Sequence, residues 1–332
     1  MIDVEDYDDV FKGKSYSDGL VSDIEESQHV HHGCTFFERL LNLLKINSRH
    51  SGRKIYPPKQ EKDLRELHSR IASAPITLHY KHCLILYLLK DITPSNHDTN
   101  LSEAFAMSVH LEPSFWTFIE GIWELDHLQY ENAVMHLTHP SIIQTFADDI
   151  LLALLRRRDR SGSFKLELGD DTLPMAYFNC ADPPLEGEAV RIQFTKYMAV
   201  RNVSETYHWI RSRPENEQKQ LLEALVEQTF HTGHQQSESY PTVDRAVELA
   251  GLPFDEEEEK WLEAFLTEGR GRMLPGAEDT IIMRRLANGN FRDVAGQKGP
   301  KGRKIDGVTW DLLRNGVKRG LGPRSDEERI QI

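Results

Sequence analysis

Residues 113–147 have the sequence PSFWTFIEGIWELDHLQYENAVMHLTHPSIIQTFA. Apolar residues recur in this stretch every three or four positions, which is the period of an amphipathic α-helix. Asp126 and Gln129 have the spacing of a capping-box variant, which predicts that a second helix begins just after Asp126. Pro113 precedes the first helix, and Pro140 is typical of the start of a third. The stretch therefore predicts a helical hairpin followed by a further helix.

The same pattern continues on both sides of this hairpin, from residue 35 to residue 268. Two capping boxes mark helix starts, Thr35 with Glu38 and Asp255 with Glu258. Prolines separate short apolar segments in the first half, as expected for helices joined by tight turns. Residues 164–168 alternate as a strand does, but one strand cannot form a sheet. The sequence predicts an all-α domain of stacked helical hairpins, similar to an α-solenoid, over 35–268.

The two ends of the chain differ from this domain in composition and charge. The protein has 332 residues and a formal net charge of −13. The first 32 residues contain nine acidic residues against Lys12 and Lys14, and they show no sustained apolar period. Such composition is typical of disorder, so residues 1–34 are predicted to form a disordered acidic tail.

The C-terminal end, residues 269–332, is rich in glycine and is predicted to be a flexible basic arm. Residues 284–324 hold eleven basic and three acidic residues, a composition that attracts polyanions. A short amphipathic helix is predicted near 309–319. The candidate residues for binding DNA, chromatin or an importin are Lys298, Lys301, Arg303, Lys304, Lys318 and Arg319.

Several classes of protein are disfavoured by the sequence. The longest apolar run, residues 83–89, is much shorter than the ~20 residues of a membrane helix, so no membrane insertion is expected. Three widely spaced cysteines do not indicate a disulfide framework. The phosphate-binding, dinucleotide-binding and hydrolase motifs are absent from the sequence. We therefore expect neither a cofactor nor a small-molecule substrate.

One cluster has the residue types of a metal site: His29, His31, His32 and Cys34. Zinc sites usually take their ligands from two separated pairs, and no second pair is evident, so a linker is favoured. The fifteen histidines and the neighbouring acids Asp148 and Asp149 leave a helical, metal-dependent hydrolase as an alternative function.

The hairpin stretch resembles the core signature of the ELYS-like family of nucleoporins, in particular its fungal form. The matching residues are Trp116, Gly121, Trp123, Leu125, Asp126, Tyr130, Ala133, Leu137, His139 and Pro140. Further blocks that resemble the family lie at 87–91, 176–178 and 194–197. Residues 156–173 differ from the family, in which a short loop is expected here, and are interpreted as an irregular insertion. The chain is also expected to lack the β-propeller that precedes this domain in animal relatives.

The resemblance implies an all-α scaffold protein and not an enzyme. Its members join the Y-shaped outer-ring complex of the nuclear pore, so the implied partners are other nucleoporins of that ring. The implied location is the nuclear pore complex in the nuclear envelope, with a role in pore assembly and in mRNA and protein transport. The signature residues are expected to serve as core or as partner-docking residues. A chromatin-binding or importin-binding adaptor, acting through 284–324, is a further alternative.

Overall fold

Helices make up the regular structure in this computed structural model. The structure describes residues 2–46, 54–93, 101–156, 171–231 and 242–288, which contain sixteen α-helices and no strand. The prediction of an all-α fold is therefore confirmed. Most of the predicted irregular insertion, the strand-like residues 164–168 and the predicted helix near 309–319 lie outside the described residues.

The chain divides into two compact units, unit 1 (residues 1–185) and unit 2 (residues 186–332). The helices of unit 1 are α1 Tyr7–Phe11, α2 Asp18–Val30, α3 Phe36–Leu43, α4 Glu61–Ser73, α5 Leu78–Ile92, α6 Leu101–Ser108, α7 Pro113–Asp126, α8 Tyr130–Leu137, α9 Ala147–Leu155 and α10 Leu173–Ala181. Those of unit 2 are α11 Glu188–Arg201, α12 Val203–Arg211, α13 Glu215–His231, α14 Thr242–Gly251, α15 Glu256–Thr267 and α16 Ala277–Ala287. A 3-10 helix, Arg270–Met273, lies between α15 and α16.

Helix α5 is the centre of unit 1. Each of its residues 83–89 is at most 4% exposed, and α4, α6 and α7 pack against it. A helix that is apolar on nearly every side is typical of a core position. Two contacts show that α5 and α7 run parallel. Phe115 near the start of α7 stacks on His79 near the start of α5, and Trp123 donates to Asp91 near the ends of the same two helices.

Residues 2–34 are folded, so the predicted disorder of the N-terminal tail is wrong over these residues. Phe11 of α1 is fully buried and packs edge-on to His68 of α4, with ring centroids 5.7 Å apart. The acidic residues have local structural roles, since Asp6 caps α1 by accepting the backbone N–H of Asp8. α1 has only five residues, which is too short to produce a helical period in the sequence.

Residues 270–288 are also folded, so the predicted flexible arm is wrong over this part. Ile282 and Arg284 of α16 are each 4% exposed. The Arg284 guanidinium forms an ion pair with Glu259 of α15. The sequence indicates a possible short helix near 281–286 within the predicted arm, and α16 is longer than that, since it spans Ala277–Ala287 and its buried face includes an arginine. All six candidate basic residues of the arm lie outside the described residues.

Candidate functional site

The signature contains a buried carboxylate, Asp126, at the end of α7, and a second, Asp91, lies near the end of α5. Asp91 is 0% exposed and Asp126 is 3% exposed. Carboxylates are rarely buried unless they are paired or hydrogen-bonded. We call the two acids and the side chains that donate to them the carboxylate network.

Asp126 caps a helix that is distant in the sequence. It is the last residue of α7, so the prediction that it caps the following helix is wrong. Its Oδ1 accepts the backbone N–H of Phe36 at 2.7 Å, and its Oδ2 accepts that of Phe37 at 2.9 Å. The hydroxyl of Tyr87 also donates to Oδ2, at 2.8 Å. Asp126 therefore satisfies the first N–H groups of α3, which an α-helix cannot pair internally, and joins α3 to α5 and α7.

Asp91 receives donors from three different parts of unit 1. The hydroxyls of Tyr16 and Tyr56 each donate to its Oδ2 at 2.7 Å. The indole N–H of Trp123 donates to its Oδ1 at 2.8 Å, and Nε2 of His127 lies 3.6 Å from the same oxygen. Because donors from three separate segments meet at one buried carboxyl group, Asp91 is an anchor for these segments.

Helix α2 is attached to the signature by hydrogen bonds to the backbone carbonyls of Leu125 and Asp126. The hydroxyl of Ser27 donates to the carbonyl oxygen of Asp126. Nε2 of His31 lies 3.1 Å from the carbonyl oxygen of Leu125, so this nitrogen carries the proton. Burial lowers the pKa of His31 to about 4, which keeps the ring neutral. His31 is therefore a structural residue at the end of α2, and the prediction that it belongs to a linker is wrong.

Aromatic rings enclose the carboxylate network. The ring of Phe37 stacks on that of Tyr87 with centroids 4.0 Å apart, and Tyr56 packs edge-on to Phe37 at 4.8 Å. Trp123 is half-buried, stacks on His127 at 4.0 Å and lies under the Lys90 ammonium at 4.8 Å. Trp123 therefore closes the network on its outer side.

Burial raises the pKa of both carboxyl groups in the network. The pKa of Asp126 rises to about 7, although its hydrogen bonds to Phe36, Phe37 and Tyr87 act in the opposite direction. The pKa of Asp91 is also raised, again because burial disfavours the charged form. The hydrogen-bond donors described for Asp91 and Asp126 are all groups of this chain, so their carboxyl oxygens are used within the fold. The arrangement is suited to joining helices and not to acid–base chemistry on a substrate.

Raising the pH from about 4 to about 7 is expected to destabilise unit 1 through Asp126. The folded-state pKa of about 7 exceeds the ordinary value of 3.8. Between these values the folded protein keeps the proton that the unfolded chain has released, so stability falls as pH rises and levels off above pH 7. The comparison is with Asp126→Asn, which cannot titrate at this position. The difference in free energy of unfolding, wild type minus Asp126→Asn, should fall by roughly 2–4 kcal/mol over this range. Chemical denaturation at several pH values measures it, and a constant difference would contradict the assignment.

Most other signature residues are core residues. Leu125, Tyr130, Ala133 and Leu137 are each at most 4% exposed. Gly121 permits the close approach of α7 and α8, since a Cβ at this position would lie 2.6 Å from Cγ of Leu137.

The signature also has an exposed part. Trp116 is half-buried and donates to Glu120 at 2.8 Å. His139 and Pro140 are exposed in the loop before α9. This loop continues to Phe146, so the predicted helix start at Pro140 is wrong, and α9 begins at Ala147. A docking role for these exposed residues stays a prediction.

The sequence did not identify Tyr16 and Tyr56 as part of the site. Tyr16 lies 75 residues from Asp91, and Tyr56 lies 35 residues from it, so no local spacing links either to its acceptor. The single available signal for Tyr16 is an aromatic residue within a segment that is otherwise polar and acidic.

Two properties of the described residues bear on other kinds of site. No helix there has the length and apolar character needed to cross a membrane. The same residues include no group of three or more His, Cys, Asp or Glu side chains placed to hold a metal ion.

Comparison with known proteins now identifies the family. The sequence model of the ELYS family, described as nuclear pore complex assembly, matches residues 34–269. An uncharacterized protein of Schizosaccharomyces pombe named ely5 is 31% identical over 119 residues. That match covers 36% of this chain and 37% of the yeast protein. The resemblance to the family is thereby confirmed, and the chain belongs to the ELYS family, whose described role is nuclear pore complex assembly.

Proposed function

We propose that the protein is a structural subunit of the nuclear pore complex that docks on the Y-shaped outer-ring complex. The observation that carries this proposal is the family match over residues 34–269. The carboxylate network supports it, because the network joins helices of unit 1 and presents neither of its two carboxyl groups to solvent. A location at the nuclear pore, other nucleoporins as partners, and a contribution to mRNA and protein transport follow from the proposal.

The alternative of a metal-dependent hydrolase has weaker support. The ELYS family is a family of structural nucleoporins. Of the two neighbouring acids that motivated this alternative, Asp149 forms an ion pair with Arg39. Asp148 lies in the first turn of α9, where a negative charge complements the helix dipole.

A second proposed activity concerns the C-terminal arm and is supported by its charge alone. The excess of basic residues over 284–324 favours binding to DNA, chromatin or an importin. Arg284 and Arg285, at the start of this segment, pair with Glu259 and Glu263 of α15. We therefore assign any such activity to residues beyond 288, and in particular to 298–319.

The docking proposal predicts that the helical units bind the outer-ring complex without the arm. A chain that ends at residue 288 keeps all described helices and should bind the reconstituted outer-ring complex with the same affinity as full-length protein. The full chain with Lys298, Lys301, Arg303 and Lys304 changed to Ala is the control, and it should bind equally. Pull-down followed by titration measures both. Loss of binding on removal of the arm, with retention by the arm alone, would refute the proposal.

A further inference from the structure

The basic arm starts beside the acidic helix α15. Arg284 and Arg285 of α16 form ion pairs with Glu259 and Glu263 of α15. Nδ2 of Asn288 donates to Oε1 of Glu259 at 2.9 Å. Because Glu259 is the fourth residue of α15, the chain beyond 288 starts next to the N-terminal end of that helix.

This end of α15 carries five consecutive acids, residues 255–259. Glu256, Glu259 and Glu263 are spaced by three and four residues, which places them on one side of the helix, and we call them the α15 acidic stripe. Glu259 and Glu263 bind α16, whereas Glu256 is exposed and forms no ion pair among the described residues. The stripe therefore extends beyond the bases of α16 that it already holds.

The charges of unit 2 and of the arm are complementary. Residues 186–288 contain nineteen acidic and twelve basic residues, whereas residues 289–324 contain nine basic and three acidic ones. Helix α15 alone has five glutamates and a single base, Lys260. Opposite charges attract each other over the Debye length, which is ~10 Å at 0.1 M salt. The exposed acids of α15 therefore attract the arm that starts beside them.

The chain is long enough for the arm to return to the stripe. Glu256 lies about 5 Å along the helix axis from Glu259, which contacts Asn288. Arg292 follows Asn288 by four positions and Lys298 follows it by ten, and a chain spans at most ~3.3–3.6 Å per residue. Both bases are therefore within reach of Glu256. Tethering in one chain gives them an effective concentration on the order of millimolar.

We propose that residues 292–304 of the arm bind the α15 acidic stripe of the same chain and extend the ion pairs that Arg284 and Arg285 begin. Bases that are held by the stripe are not available to a polyanion at the same time. Unit 2 therefore competes with DNA for the arm. Exposed ion pairs are individually weak, so the competition is a few-fold effect that salt removes. This inference rests on the second proposed activity, since it regulates binding by the arm.

Carbodiimide crosslinking of the full-length protein tests the contact itself. The reagent joins an amine to a carboxylate that touches it, so mass spectrometry should find Lys298, Lys301 or Lys304 joined to the stripe, mainly at Glu256. A mixture of isotope-labelled and unlabelled protein separates contacts within one chain from contacts between two copies. The crosslinks should form within one chain and should be lost at high salt. Their absence, or crosslinks between copies only, would overturn the inference.

The substitution Glu256→Lys tests the competition, and Glu257→Lys is its matched control. Both change the net charge equally in the first turn of α15, but Glu257 lies about 160° around the helix from Glu259 and therefore off the stripe. The affinity of the full-length protein for duplex DNA at low salt should rise about threefold more with Glu256→Lys than with Glu257→Lys. The two should become equal when four bases of the arm are also changed to Ala: Lys298, Lys301, Arg303 and Lys304.

The outcomes separate this inference from the proposed functions. Equal DNA affinities of the two variants with the arm intact would contradict the inference, provided that thermal unfolding shows both to be folded. If neither wild type nor the variants bind DNA, the second proposed activity is wrong, and the crosslinks alone decide whether the arm occupies the stripe. Docking of the helical units on the outer-ring complex is tested separately and does not depend on either result.

Discussion

Replacement of Asp126 by Ala is expected to lower the free energy of unfolding of unit 1 by about 3–5 kcal/mol. The change leaves the N–H groups of Phe36 and Phe37 and the hydroxyl of Tyr87 without their acceptor. All three donors are buried, and each unsatisfied donor costs about 1–3 kcal/mol. Hydrogen exchange with mass spectrometry on the full-length protein measures the effect, and peptides that cover α3 should lose protection first.

Two variants serve as controls for this prediction. Asp23→Ala removes an exposed aspartate of α2 and should change stability by less than about 0.5 kcal/mol. Asp126→Asn keeps an acceptor for the start of α3, so its effect should be clearly smaller than that of Asp126→Ala. Equal effects of the Ala and Asn variants would show that the cap is not what Asp126 contributes.

Replacement of Arg284 by Ala is expected to destabilise unit 2 by about 3–5 kcal/mol. The Arg284 guanidinium donates to the carbonyl oxygens of Ala250 (2.8 Å) and Leu252 and pairs with Glu259. It also lies 4.4 Å from the ring centroid of Phe254. Its removal leaves two buried carbonyl groups without this donor and removes one of the two ion pairs that join α16 to α15. Hydrogen exchange in peptides that cover α14 and α16 measures the loss.

Arg272→Ala is the matched control for Arg284, because Arg272 is an exposed arginine of the same unit. It should be nearly neutral. Arg284→Met keeps the aliphatic part of the side chain and should recover part of the packing but none of the hydrogen bonds. Should Arg284→Ala behave like Arg272→Ala, residues beyond 268 would not be part of the folded unit.

Features fixed by neighbouring residues could be predicted from the sequence. The capping boxes of Thr35 with Glu38 and of Asp255 with Glu258 are both present, because their partners are three residues apart. The apolar period of α5 likewise predicted a helix, and α5 is the core helix of unit 1. The all-α fold followed from many such local signals.

Features that depend on distant partners could not be predicted. The capping-box spacing of Asp126 is real, but the side chain caps α3, which lies about 90 residues earlier. The acid-rich N-terminal residues resembled a disordered tail because the partners of their few apolar side chains are distant in the sequence, as His68 is from Phe11. Arg284 resembled part of a basic arm because its acceptors, 32 and 34 residues away, give no local signal.

The carboxylate network also limits when the first helices of unit 1 can pack while the ribosome is synthesising the chain. Ser27 and Phe36 emerge first, but their acceptor Asp126 follows 99 and 90 residues later. At about 5–20 residues per second, this delay is roughly 5–20 s. During that time the start of α3 and the side of α2 that contacts α7 lack this partner, whereas α1 can pack on α4 as soon as residues 61–73 are available. Helices α2 and α3, although they are made early, therefore complete their packing only after α7 has been made.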